Sequence, residues 1–184
     1  AAERSGGALS LDELRAQVTD ERTLAMFDKL EKRFLDLYRK SAHVMPEGRL
    51  PLEEDVARLR TQVQIARDAG ESRAGVDLSG ADLSGLDLSG VDLRRALLEG
   101  ANLTGAHLER AKLDEAVLAW ADLSEAKLDG ASLRATNLGS AKLRGTSLER
   151  VDATDALFMR ARLEGVSLRG ATLDNVQLLE AVIV

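Results

Sequence analysis

The chain has 184 residues, 45% of them apolar and 30% charged, and no cysteine. That composition excludes disulfides, thiol catalysis and cysteine metal sites. A net charge of −6 gives no electrostatic footprint for nucleic acid or an anionic membrane, and no apolar run approaches the roughly 18 residues of a membrane span.

In chain order, residues 1–9 read as a flexible tail without a signal-peptide pattern. The missing initiator Met points to a trimmed or excised chain. Ser10 with Glu13 forms a capping box for a helix carrying Leu11, Leu14 and Val18, and Thr19 and Asp20 can recap the chain. Phe27, Leu30, Phe34 and Leu37 then step by three and four before Met45-Pro46-Glu47-Gly48 interrupts the pattern. Pro51 opens a further helix with Glu53, Glu54 and Asp55 in its first turn. Its apolar stripe is Leu52, Val56, Leu59, Val63 and Ala66, and Gly70 is its stop. Residues 10–70 thus suit an antiparallel helical hairpin, with an intermolecular coiled coil as the other use of such stripes. Residues 71–75 read as a linker.

From Val76 the sequence falls into blocks of five, such as VDLSG, ADLSG and LDLSG. Block centres run from Leu78 to Ile183 without a slip in register, and all are Leu except Ala153, Phe158 and Ile183. The first position of each block is Ala, Val or Thr, apart from Leu86. Period five scatters leucines round an α-helix and alternates them across a strand, so both elements waste the hydrophobic set. A chain that bends through about a right angle every five residues does not. First and third positions then point inward on every side, and the frequent glycines at the fifth position form the corners. Four sides close a square coil of 20 residues, and the register predicts about 5.5 coils stacked at roughly 4.8 Å.

This pattern resembles the pentapeptide-repeat family, whose motif is a small residue, then Asp or Asn, then Leu or Phe, then two variable positions. The resemblance covers residues 76–184. It implies a mainly β fold, a right-handed quadrilateral β-helix solenoid, here preceded by the helical hairpin. It implies little about function, because the family includes DNA-mimicking protectors of topoisomerases, bacterial effectors and appended modules. The second position departs from Asp or Asn at Leu97, His107, Lys112, Val117, Lys127, Leu157 and Arg162.

No catalytic constellation emerges. Asp77, Asp82, Asp87 and Asp92 lie on successive sides and point in four directions. Residues 20 apart are vertical neighbours, which offers Asp92 to Lys112 and Asp122 to Lys142 as surface ion pairs. Glu109, Asp129 and Glu149 form an acidic column beside Arg110 and Arg150, read as a solvated charged face. His43 and His107 read as solvated surface histidines, and no residues suggest a cofactor or a metal.

Sorting outward positions by side exposes one apolar stripe: Leu97, Val117, Ala119, Trp120, Leu157, Met159 and Leu179. Such a stripe marks a contact. It serves as an interface for a separate protein, is covered by the helical hairpin folding back, or stays as scattered exposure. The terminal Val182, Ile183 and Val184 leave an open strand edge that suits an end-to-end homodimer. The expected function is therefore non-enzymatic protein binding or scaffolding by a cytoplasmic bacterial module, within a larger or secretion-associated protein, without nucleic acid or membrane as partner. The alternative is a duplex-DNA mimic that binds a type II topoisomerase and protects or inhibits gyrase. The repeat region carries a net charge of only −5 with its signs interspersed.

Overall fold

The computed structural model describes residues 21–44 and 53–184. The expected first helix around Leu11, Leu14 and Val18, the tail over residues 1–9, and the turn at Met45–Gly48 with Pro51 and Leu52 all lie outside the described residues. The chain divides into two compact units, Ala1–Tyr38 and Arg39–Val184.

Helix α1 spans Glu21–Ser41, with Glu21 in its first turn and Arg39 and Lys40 in its last, the charge order that suits the helix dipole. Leu24, Leu35 and Tyr38 are half-buried, whereas Met26, Leu30, Phe34 and Leu37 are exposed. A 3-10 turn, Ala42–Val44, follows. Helix α2 spans Glu53–Asp68. It ends as the expected glycine stop requires: Gly70 is left-handed at φ 67°, Glu71 N–H donates to Ala66 O, and Gly70 N–H donates to Arg67 O. Those two bonds satisfy carbonyls that the helix itself leaves open.

From Arg73 onward the second unit is a four-sided coil. Parallel bridges join second positions 20 residues apart, from Asp77↔Leu97 to Leu157↔Gln177. The short strands β1 (Arg162–Leu163) and β2 (Val182–Ile183) continue the same register. Each side closes with a turn in which a first-position N–H donates to the preceding centre carbonyl, as Ala81 does to Leu78 at 3.0 Å. The third residue of that turn is left-handed, which produces the corner. Glycine supplies it at Gly80, Gly85 and Gly90, but Arg95, Glu115, Trp120 and Ala135 adopt the same conformation. The coil bonding already includes Arg73 and Gly75, which donate to Asp92 and Arg94, so residues 73–75 follow the solenoid path.

Inside, the centre leucines from Leu78 to Leu148 and most first-position alanines are fully buried in one cluster. Thr136 and Thr146 take alanine's place at two inward positions because each hydroxyl reaches a carbonyl, Leu113 O and Leu123 O, at 2.7 Å. α2 caps the first coil: Val63 and Ala66 are buried and Leu59 packs against the core cluster. Arg60 donates to Asp82 O and Ser84 O at 3.1 and 2.8 Å, and Arg67 pairs with Asp87.

The motif's second-position Asp or Asn has a local cause. Its side-chain oxygen accepts the fourth-position N–H, which no coil neighbour uses. The pairs Asp77–Ser79, Asp82–Ser84, Asn102–Thr104 and Asp122–Ser124 show this at 3.0–3.1 Å. Where the second position is Ser, a carboxylate from the coil before takes over. Asp129 accepts Ser147 Oγ at 2.6 Å and Glu149 N–H at 3.2 Å.

Candidate functional site

The outward positions that bury completely lie together. Val117, Ala119, Asn137 and Gly139 are buried, with Glu99 at 7% exposure on the adjoining coil. These are second and fourth positions on one side of the coil, where every other side presents half-buried or exposed groups.

The cover at Asn137 and Gly139 is the end of α1 and the turn after it. Ala42 is fully buried and His43 is 4% exposed. Asn137 organises the contact. Its Oδ1 accepts Gly139 N–H at 2.9 Å, which fixes Nδ2 as the group that donates to Arg39 O at 2.7 Å. That carbonyl belongs to the last turn of α1. The same Nδ2 lies 3.3 Å from His43 Nδ1, so Nδ1 is the acceptor and the ring is neutral with its proton on Nε2. Burial, then the Arg160 charge, push the His43 pKa below its ordinary value, and the Asn137 bond pulls the other way. The expectation of a solvated His43 is therefore overturned. Gly139 admits the ring: a Cβ built there would stand 2.1 Å from His43 Cβ.

The seven stripe residues accordingly divide. Val117 and Ala119 are buried, Leu97, Trp120, Leu157 and Met159 are half-buried, and Leu179 is exposed. Segment Arg39–Val44 meets this side of the coil at Asn137 and Gly139, and Val117 and Ala119 on the preceding coil are fully buried. The signal for this docking was in the sequence. Gly139 is the single glycine, and Ala119 the single alanine, at any fourth position of the repeat.

At the C-terminal end of the solenoid the inward pattern continues but burial does not. Leu173, Leu178, Leu179, Val182, Ile183 and Val184 are all exposed, the last at 87%. On the rest of the solenoid no large apolar side chain is exposed among the described residues. Asp122 pairs with Lys142 at 3.5 Å as the register predicts. Asp92 does not turn to Lys112; its carboxylate is taken by Arg94 at 2.7 Å and Ser72 Oγ at 3.0 Å. The Arg94 bond is the main reason its pKa falls far below the usual carboxylate range.

Glu109, Asp129, Arg110 and Arg150 line an open groove of about 590 Å³. Its acids are committed locally: Asp129 accepts Ser147 Oγ and Glu149 N–H, and Glu109 accepts Ser89 Oγ at 3.3 Å. His107 is half-buried with Nδ1 3.4 Å from Glu109 Oε1. Among the described residues no group of three His, Asp or Glu could hold a metal ion, and no helix is long and apolar enough to cross a membrane.

Comparison with known proteins bears on the repeat. No curated protein matches the chain. Among solved structures, it is similar to the pentapeptide repeat protein Rfr23 from the cyanobacterium Cyanothece 51142, at 26% identity over 67% of this chain and 95% of that one, with a TM-score of 0.39. HetL, a pentapeptide repeat protein involved in heterocyst differentiation regulation in Nostoc sp. strain PCC 7120, is 29% identical over 58% of this chain and 72% of its own, at a TM-score of 0.26. A trypsin-treated form of QnrB1, a plasmid-mediated fluoroquinolone resistance protein, is 18% identical over 61% of this chain and 84% of its own, at a TM-score of 0.32. Pentapeptide repeats match in eight copies over residues 74–100, 101–139 and 136–175. More than half of the chain is thus made of matched five-residue units, and it belongs to the pentapeptide repeat family, whose members fold as right-handed quadrilateral β-helices.

Proposed function

We propose that this chain is a non-enzymatic protein-interaction module whose solenoid offers the apolar groups of residues 173–184, and the face leading to them, to a protein partner. Proteins of this family are generally structural or interaction modules. The observation that carries the reading is the concentration of large exposed apolar side chains in the last coil, Leu173, Leu178, Leu179, Val182, Ile183 and Val184. Leu157 and Met159, half-buried, extend that surface along one face. Apolar groups gathered in one coil favour association over solvation. A second copy is the partner of first choice, because two identical apolar patches meeting about a two-fold axis bury both at once. A gyrase-directed DNA mimic needs a dense acidic face, whereas here Asp152 and Glu180 carry Arg134 and Arg160 as partners, at 3.0 and 2.7 Å.

The test compares the wild type with a Leu179→Asp/Ile183→Asp variant by light scattering over rising concentration, and by affinity capture from bacterial extract. The expected result is a dimer, together with a defined set of captured proteins, both lost in a variant of unchanged circular dichroism. Monomers in both cases with identical captured sets would overturn the reading.

A further inference from the structure

The solenoid is not the only place where apolar groups face water. On α1, Met26, Leu30, Phe34 and Leu37 step by four, four and three residues, and they are 54%, 45%, 74% and 63% exposed. At 3.6 residues per turn these side chains form one row about 80° wide along the helix. Leu24, Leu35 and Tyr38, on the neighbouring face, are half-buried. The helix therefore has a broad apolar side of which only part is covered. Single exposed leucines need no explanation, but four large groups in one row do.

One flank of that row is mainly basic. Lys29, Arg33 and Lys40 stand along the edge next to Met26 and Leu37, and all three are exposed. Among the described residues none of the three has an ion-pair partner. Asp36 is the carboxylate on that side. We infer that the exposed row of α1 is a docking site for an acidic amphipathic helix of another protein. That helix seats aliphatic anchors against Met26, Leu30 and Phe34 and sets a line of carboxylates against Lys29, Arg33 and Lys40.

Three arguments select this occupant. Anchors spaced four and three residues apart match the grip of one helix on another in a narrow groove, and Met and Phe are favoured at such surfaces because they adapt or bury much area. A second copy of α1 fits poorly, since antiparallel pairing through the row brings the same cationic edges together. An anionic bilayer fits poorly too. A row this narrow inserts little apolar area, and the chain's net charge of −6 opposes approach to an anionic surface. The inference rests on the reading of this chain as an interaction module but concerns a surface that the Leu179/Ile183 test leaves untouched.

The experiment uses the full chain and a fluorescein-labelled 18-residue synthetic helix with Leu at every third or fourth position and Glu along one edge. A control peptide has every Glu replaced by Lys. Anisotropy is expected to show saturable binding of the acidic peptide, at least tenfold weaker with the basic one. Lys29→Glu/Arg33→Glu and, separately, Leu30→Ser/Phe34→Ser are each expected to weaken binding at least tenfold at unchanged helicity. Binding by the charge-reversed variant should reappear with the basic peptide. Equal affinity for both peptides, no binding, or loss of binding in only one of the two variants would overturn the proposal. So would preferential capture by phosphatidylserine vesicles, or self-association abolished by Phe34→Ser. A Leu179→Asp/Ile183→Asp protein that still binds the peptide separates this site from the solenoid end.

Discussion

His43 lies against Gly139 so closely that the glycine's missing side chain is the space it uses: a Cβ there would stand 2.1 Å from His43 Cβ and 2.5 Å from Cγ. Backbone, not a flexible tip, would carry that Cβ, so the neighbour has to leave. Gly139→Ala is expected to release segment Arg39–Val44 from the solenoid while leaving the coil intact, at a cost of about 1–3 kcal/mol, the usual range for an overpacked site. Diethylpyrocarbonate modification of His43 reads this directly, and a large increase in rate is expected in the variant. A protected His43 in folded Gly139→Ala protein would show that another contact holds the segment.

The same contact responds to pH. Asn137 Nδ2 faces His43 Nδ1 as a donor, so a protonated ring would set two donors against each other. Arg160 adds a like charge, and the Arg39 carbonyl is already taken by Asn137. The docked His43 therefore has a pKa below that of a free histidine. Its contribution to docking is fully present above pH about 6.5 and is lost as pH falls through the docked value. The Gly139 amide, bonded to Asn137 Oδ1, is expected to shift on acidification below about pH 6, and His43→Leu should remove that shift. A Gly139 resonance unchanged down to about pH 5 would refute the assignment.

How much of this was legible follows from how the information is stored. The solenoid was readable because its register repeats: one slip would turn Leu98 or Leu118 outward, so the pattern excludes every other period. The Gly70 stop was readable because a helix end needs a left-handed residue there. The docking of His43 was not, because a histidine on the first 75 residues has no local sign of a partner 94 residues away. Its trace is the isolated Gly139, which stands out only after residues are sorted by side. The row of α1 was legible as a stripe, but the period of Phe27, Leu30, Phe34 and Leu37 left a helical hairpin and an intermolecular coiled coil both open.

The corners make a separate prediction. Every fifth residue is left-handed whether or not it is glycine, and Ala135 at φ 52° carries the steric cost that Gly105 at φ 63° avoids. A Cβ on Gly105 would meet nothing within 4 Å, so its replacement tests backbone strain alone. Ala135→Gly is expected to stabilise, and Gly105→Ala to destabilise, each by about 1 kcal/mol, as read from urea midpoints at constant slope. Equal midpoints for all three proteins would mean that the corner tolerates a side chain freely.

The last prediction separates hydrogen bonding from charge at the repeat's second position. Asp82 Oδ1 accepts Ser84 N–H at 3.1 Å, and Ser84 is the main reason its pKa is lowered, ahead of the Arg60 charge. Because the folded pKa lies below the unfolded one, the carboxylate's contribution is present above about pH 3.9 and lost as pH falls through the folded value. Asn102, directly above, does the same work without a charge by accepting Thr104 N–H at 3.1 Å. Asp82→Asn is therefore expected to keep its stability at pH 7 within about 0.5 kcal/mol, and Asp82→Ala to lose about 1 kcal/mol. At about pH 3 the wild type should weaken towards the alanine variant while the asparagine variant holds. An asparagine variant as weak as alanine at neutral pH would place the effect in the charge, and the account of why the repeat favours Asp or Asn would fail with it.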